Sequence, residues 1–128
     1  MKINLLKLEK DFDIEFDIPT SEYEERVKKV QKILAERGID VAYASGTPFI
    51  PGDVFYLSGY DAMCPENNTI SIISPTKAYL CAGPEGLEVA REMIKTGELV
   101  NVEELKVQHE DYPYSEFRSL REIMYEAT

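Results

Sequence analysis

The chain of 128 residues carries 14 Lys and Arg against 24 Asp and Glu, a net charge of −10, with 44% apolar and 30% charged residues. That length makes one domain, able to remove roughly two-thirds of its unfolded surface from water. The acidic balance excludes a nucleic-acid face built on clustered Lys and Arg and disfavours an anionic membrane surface.

The two cysteines, Cys64 and Cys81, stand in unrelated contexts, with no CxxC and no Cys/His pairing suited to zinc. A reduced intracellular setting follows. The opening MKINLLKLEKDFD has only a short apolar break before charge returns, so it is not a signal peptide, and no run approaches the ~20 residues of a membrane span. The expected location is cytoplasmic, without membrane or nucleic-acid partners.

Residues 12 to 18, FDIEFDI, alternate strictly, with Phe12, Ile14, Phe16 and Ile18 on one face and Asp13, Glu15 and Asp17 on the other. Period two predicts an extended segment with one dry side, ended by Pro19. Ser21 to Arg37 predicts a helix. Ser21 and Glu24 have the spacing of a capping box, and Tyr23, Val27, Val30 and Leu34 make one apolar stripe. Glu24–Lys28 and Glu25–Lys29 are spaced for i,i+4 pairing. Gly38 is placed to end the helix in a left-handed conformation.

The stretch from Gly38 to Tyr60, GIDVAYASGTPFIPGDVFYLSGY, is expected to organise the rest. Ile39 to Ser45 is apolar on both faces, which predicts a central strand under helices. Gly46 to Asp53 is a loop punctuated by Pro48, Pro51 and Gly52, and Val54 to Ser58 predicts a second strand. Thr69 to Ser74 and Lys77 to Ala82 predict an antiparallel pair turning at Pro75-Thr76. Pro84 opens a helix at a position where its missing N–H does no harm, with Leu87, Ala90 and Ile94 inward and Gly97 closing it. Leu99 to Val102 is a short strand. The last helix runs from about Ser115 to Glu126, with Phe117, Leu120 and Met124 on its inner side. Helices and strands in alternation make the fold class α/β: a mixed β-sheet flanked by helices on both faces.

No residue set assembles into a catalytic constellation. His109 beside Glu110 and Asp111 is read as a solvated imidazole. Asp53 and Asp61 bracket the second predicted strand as turn-formers rather than an acid–base pair. Nothing near Cys64 in sequence lowers its pKa, so it is read as an inert thiol. Tyr56 and Tyr60 are read as packing residues, with Tyr60 also a candidate for a pocket rim. Glu66, Asn67 and Asn68 form a polar turn from which one side chain could reach a ligand.

Several motifs in order carry a resemblance: Tyr23-x-x-Arg26, then Arg37-Gly38-Ile39-Asp40-Val41-Ala42, then Pro48, then Phe55-Tyr56-Leu57-Ser58-Gly59-Tyr60. Together they resemble the N-terminal domain of the creatinase/prolidase/aminopeptidase P family of Xaa-Pro peptidases and pita-bread hydrolases. In that family a helix with an early Arg runs into RGxD, a strand, a loop with Pro, and YLTGF or YLTGY; Ser58 stands here for Thr. The run Ile70 to Leu80, ISIISPTKAYL, resembles the family's next hairpin. The resemblance spans Tyr23 to Val102 and implies a ribonuclease H-like domain over residues 20–128, preceded by an extension over 1–19, with the catalytic domain absent.

It also implies a function. The family's C-terminal pita-bread domain holds a dinuclear divalent metal centre (Mn, Co or Zn) on two Asp, one His and two Glu, except in creatinase-type members. None of those ligands can be placed in this chain, so no cofactor is expected in it and no catalytic residue is assigned. The resemblance makes the chain a non-catalytic domain whose partners are a pita-bread domain of the same chain and a second copy in a homodimer. Its pocket candidates are Tyr60, Asp61, Glu66 and Asn67. The loop Asp61 to Asn68 has no Arg where creatinase-like members use one, which counts against creatine as substrate. Two other readings stand beside this one: a stand-alone α/β small-molecule-binding or adaptor domain, and a complete small hydrolase using Asp53 and Asp61 or Cys64.

Overall fold

The apolar stripe of the first helix sets one layer of the molecule. In the computed structural model, which describes residues 18–47, 50, 52–61, 68–106 and 117–128, helix α1 spans Thr20–Arg37 and buries Tyr23, Val27 and Leu34. Its start departs from expectation. Pro19, with extended backbone, is the N-cap and no side chain caps the helix, so Ser21 falls within the first turn and the Ser21–Glu24 box does not form. The ion pairs along α1 are Glu22–Arg26 at 3.0 Å and Lys32–Glu36 at 3.7 Å, not the Glu24–Lys28 and Glu25–Lys29 pairs expected. Gly38 ends the helix at φ +63°, a conformation that costs glycine nothing.

Four strands follow: β1 (Ala42–Gly46), β2 (Thr69–Ile73), β3 (Ala78–Ala82) and β4 (Glu98–Asn101). They lie side by side in chain order, β1-β2 and β2-β3 antiparallel and β3-β4 parallel. The Pro75-Thr76 turn is closed by the Ser74 N–H donating to the Lys77 carbonyl at 2.9 Å, while the buried Ser74 hydroxyl accepts from the Lys77 N–H at 3.1 Å. Helix α3 (Pro84–Met93) makes the crossover between the two parallel strands, as parallel pairing requires.

Three expectations are corrected. The first strand is an edge strand of the described sheet, not a central one: Ala42 and Ala44 pack inward while Tyr43 is 67% exposed. The segment predicted as a strand over Val54–Ser58 is a helix, α2 (Gly52–Ser58). Its buried residues Val54, Leu57 and Ser58 recur at three and four, so packing overrides the strand propensity of Val, Phe and Tyr. The last helix, α4, covers only Leu120–Ala127, capped by Ser119 in a full capping box with Glu122. It buries Ile123 and Ala127; Met124 faces outward and Phe117 precedes the helix.

The core divides by sheet face. Ile72, Tyr79, Cys81 and Val100 meet Ile123 and Ala127 of α4 on one side. On the other, Leu80 packs with Val54, Tyr60 and Ala90, and Ile73 with Leu34 and Leu57. Helices thus cover both faces, as expected.

Candidate functional site

The end of α2 is built by backbone requirements. The Ser58 hydroxyl donates to the Val54 carbonyl at 2.7 Å and accepts from the Tyr60 N–H at 3.1 Å, so a hydroxyl at this position closes the helix and steers the next residues. Gly59 follows at φ +78°, and an added Cβ would lie 2.7 Å from Lys95 Cγ and 3.3 Å from Tyr23 Cζ. The segment after α3 locks on here: the Lys95 N–H donates to the Ser58 carbonyl at 2.8 Å and the Thr96 hydroxyl to the Leu57 carbonyl at 3.0 Å. Leu57-Ser58-Gly59-Tyr60 is therefore a junction at which α1, α2 and the end of α3 converge.

Arg26 braces the same junction from α1. Its guanidinium lies 4.8 Å from the Tyr23 ring centre and 4.5 Å from that of Tyr56. It also pairs with Glu22 and donates to the Tyr56 carbonyl at 3.2 Å. A planar cation between two rings with both hydrogen-bonding edges used is a structural tie. Tyr23 and Phe55 stand edge to face, 6.5 Å apart.

Beside this junction opens a cavity of about 370 Å³, walled by Ile18, Tyr23, Phe55, Gly59, Asp61, Glu92, Met93 and Lys95. Asp61 is thus placed at a pocket. Tyr60 is not among the walls; it is 1% exposed and packed with Val54, Leu80 and Ala90. Glu66 and Asn67 lie outside the described residues, as do Cys64 and His109. Asn68 is exposed just before β2. Asp53 and Asp61 stand at opposite ends of α2, so what they bracket is a helix rather than a strand. Tyr23 and Phe55 were named from sequence for the helix stripe and the family motif rather than for a pocket, and Glu92 and Met93 at the end of α3 and Lys95 just beyond it were not singled out. Burial stripes point to the inside of a helix, whereas these residues mark where its last turn meets a loop some thirty residues distant.

Burial pushes the Cys81 thiol up to about 12, and a protonated thiol is no nucleophile at neutral pH. Among the described residues no three His, Cys, Asp or Glu side chains gather where they could hold a metal ion. The described part does not fit the dinuclear centre that the sequence resemblance assigns to a separate domain. No described helix is long and apolar enough to cross a membrane.

Residues 26–127 match the family described as the creatinase/prolidase N-terminal domain. The chain belongs to that family. The match takes in Leu57 to Tyr60, helices α2 and α3 and α1 from Arg26 onward, while the cavity walls Ile18 and Tyr23 precede it. No curated protein matches the chain. Among solved structures it is similar to an XXA-pro aminopeptidase from Streptococcus pyogenes, with a TM-score of 0.51 at 14% identity. That similarity covers 66% of this chain and 59% of the aminopeptidase chain, so this chain spans less than two-thirds of that protein's length. At such identity the likeness is one of fold: a creatinase/prolidase N-terminal domain with a mixed sheet between helices.

Proposed function

We propose that this is the non-catalytic N-terminal domain of an Xaa-Pro dipeptidase, aminopeptidase P or creatinase-like hydrolase, supporting oligomerisation and framing an active site held by a C-terminal catalytic domain. On this reading the parent chain is a metal-dependent hydrolase, residues 20–128 are the domain and 1–19 an extension. The observation that carries the reading is the family match over residues 26–127, which takes in nearly the whole described fold. The structural likeness to an XXA-pro aminopeptidase supports the same parentage.

The cavity at Asp61 is the wall this domain offers to the reaction centre. Asp61 supplies an acceptor and Tyr23 and Phe55 an apolar flank, a mixture suited to orienting a substrate rather than to breaking its bond. Glu66 and Asn67 belong to the same proposed wall through their place in the loop after Asp61.

The test is an assay of the purified 128-residue chain on Xaa-Pro dipeptides with Mn²⁺, Co²⁺ or Zn²⁺ added in turn. No turnover is expected with any of the three. Hydrolysis by this chain alone would overturn the reading. Sedimentation of the same sample reads self-association directly, with a dimer expected.

A further inference from the structure

Strand β1 pairs only with β2 in the described sheet, so on its other side alternate N–H and C=O groups of Ala42–Gly46 point away from that ladder. Its sequence, Ala42-Tyr43-Ala44-Ser45-Gly46, holds none of the Lys, Pro or inward charges that guard such an edge. Tyr43 is 67% exposed although its register partner Ile72 is core. Residues opposed in an antiparallel pair share a face, and Ile72 packs toward α4, so Tyr43 stands on the α4 side of the sheet. On that side an apolar groove of about 570 Å³ runs from Val41 to Leu120, Met124 and Tyr125, and Tyr125 is 68% exposed. Glu104 and Arg121 also line the groove and offset each other in charge.

We infer that two copies of this chain join along β1, the two strands running antiparallel about a two-fold axis so that both described sheets become one. The inference rests on the oligomerisation proposed above and gives it a surface. An edge strand is complementary to itself under a two-fold, each outward donor meeting an acceptor. The axis stands perpendicular to the sheet, so faces are kept: Tyr43 of each copy lies on one side, with a groove beyond it at either end. The two grooves and two Tyr43 rings then form a continuous apolar band beside the new ladder, which an unrelated peptide would not supply. Charge favours the same place. A net charge of −10 opposes the meeting of two copies over most of their surface, whereas β1 is uncharged. A register centred on Tyr43 or Ala44 sets Asp40 opposite residue 46 or 48 of the other copy, and neither is charged.

The test is sedimentation of the full 128-residue chain over a range of concentrations, beside Tyr43→Lys and Val89→Lys. Both substitutions replace an exposed apolar residue, but Val89 is on α3, away from this edge. Tyr43→Lys brings two like charges together at the proposed join, and is expected to weaken the dimer at least about tenfold, while Val89→Lys leaves it unchanged. Amide hydrogen exchange of the parent chain is expected to slow at alternate β1 residues as concentration rises through the dimerisation range. A dimer that survives Tyr43→Lys overturns the inference and leaves oligomerisation through another surface standing. Alternate β1 amides equally protected at every dilution overturn it too, since the edge is then covered by the chain itself. A parent chain that stays monomeric overturns both this inference and the oligomerisation, with the hydrolysis assay still judging the rest of that reading. Should Tyr43→Lys fail to fold, the exchange of the parent chain decides.

Discussion

Gly59 and Gly38 share a left-handed backbone but not a neighbourhood, and the difference separates two physical effects. At Gly38 (φ +63°) an added Cβ meets nothing within 4 Å, whereas at Gly59 it collides with Lys95 and presses on Tyr23. Gly38→Ala is expected to lower stability by about 1–2 kcal/mol, the backbone cost alone. Gly59→Ala carries a backbone cost of about 1–3 kcal/mol, and displacement of Lys95 adds to it. Urea titration of the two variants checks this, and equal losses would show that the Gly59 crowding is relieved freely. Ser58 belongs to the same argument: its hydroxyl both donates and accepts, a capacity that Thr shares and an apolar residue of similar size lacks.

At the scale of elements, α4 is held by charge as well as packing. Arg118, ahead of the helix, pairs with Glu126, which also accepts from the Tyr79 hydroxyl at 3.1 Å. The Arg118 hydrogen bond, then that of Tyr79, holds the Glu126 carboxyl below its usual value. The Ser119 backbone and side chain do the same for Glu122. Both carboxylates are more acidic folded than unfolded, so their contribution is complete above the ordinary value of 4.5 and is lost as pH falls through the folded values. Stability is expected to fall below about pH 4.5, with a shallower fall in a Glu122→Gln, Glu126→Gln double variant; a fall of equal steepness would count against the helix as its source. How far such elements were legible in sequence depended on whether one local signal settled them. Helix α1 and the β2–β3 hairpin were, because stripe, turn and breaker residues agree. Helix α2 was not, because Val54-Phe55-Tyr56 favours a strand and only burial against Leu80 and Leu34 settles the matter. On α4 the expected Leu120 does pack against the core, but Ile123 and Ala127 rather than Met124 complete the inner face, a choice between adjacent apolar residues that only packing against the sheet decides. Asp61, named from sequence through the motif before it, lines the cavity, whereas Glu92 and Lys95 reach the same cavity only through the fold.

For the whole molecule, a net charge of −10 on 128 residues sets a field that opposes compaction. Sodium chloride screens it, with a Debye length of about 8 Å at physiological ionic strength. The thermal midpoint is expected to rise as salt increases, and a fall would mean that the ion pairs of α1 and α4 outweigh the general repulsion. The way the sheet is completed has a further consequence. The face formed by Ile72, Tyr79, Cys81 and Val100 receives its cover from Ile123 and Ala127, contributed by the final nine residues of the sequence. During synthesis on the ribosome that face stays bare until those residues clear the exit tunnel. The nascent domain therefore passes through a stage in which the hairpin is complete but this face lacks the cover that α4 supplies.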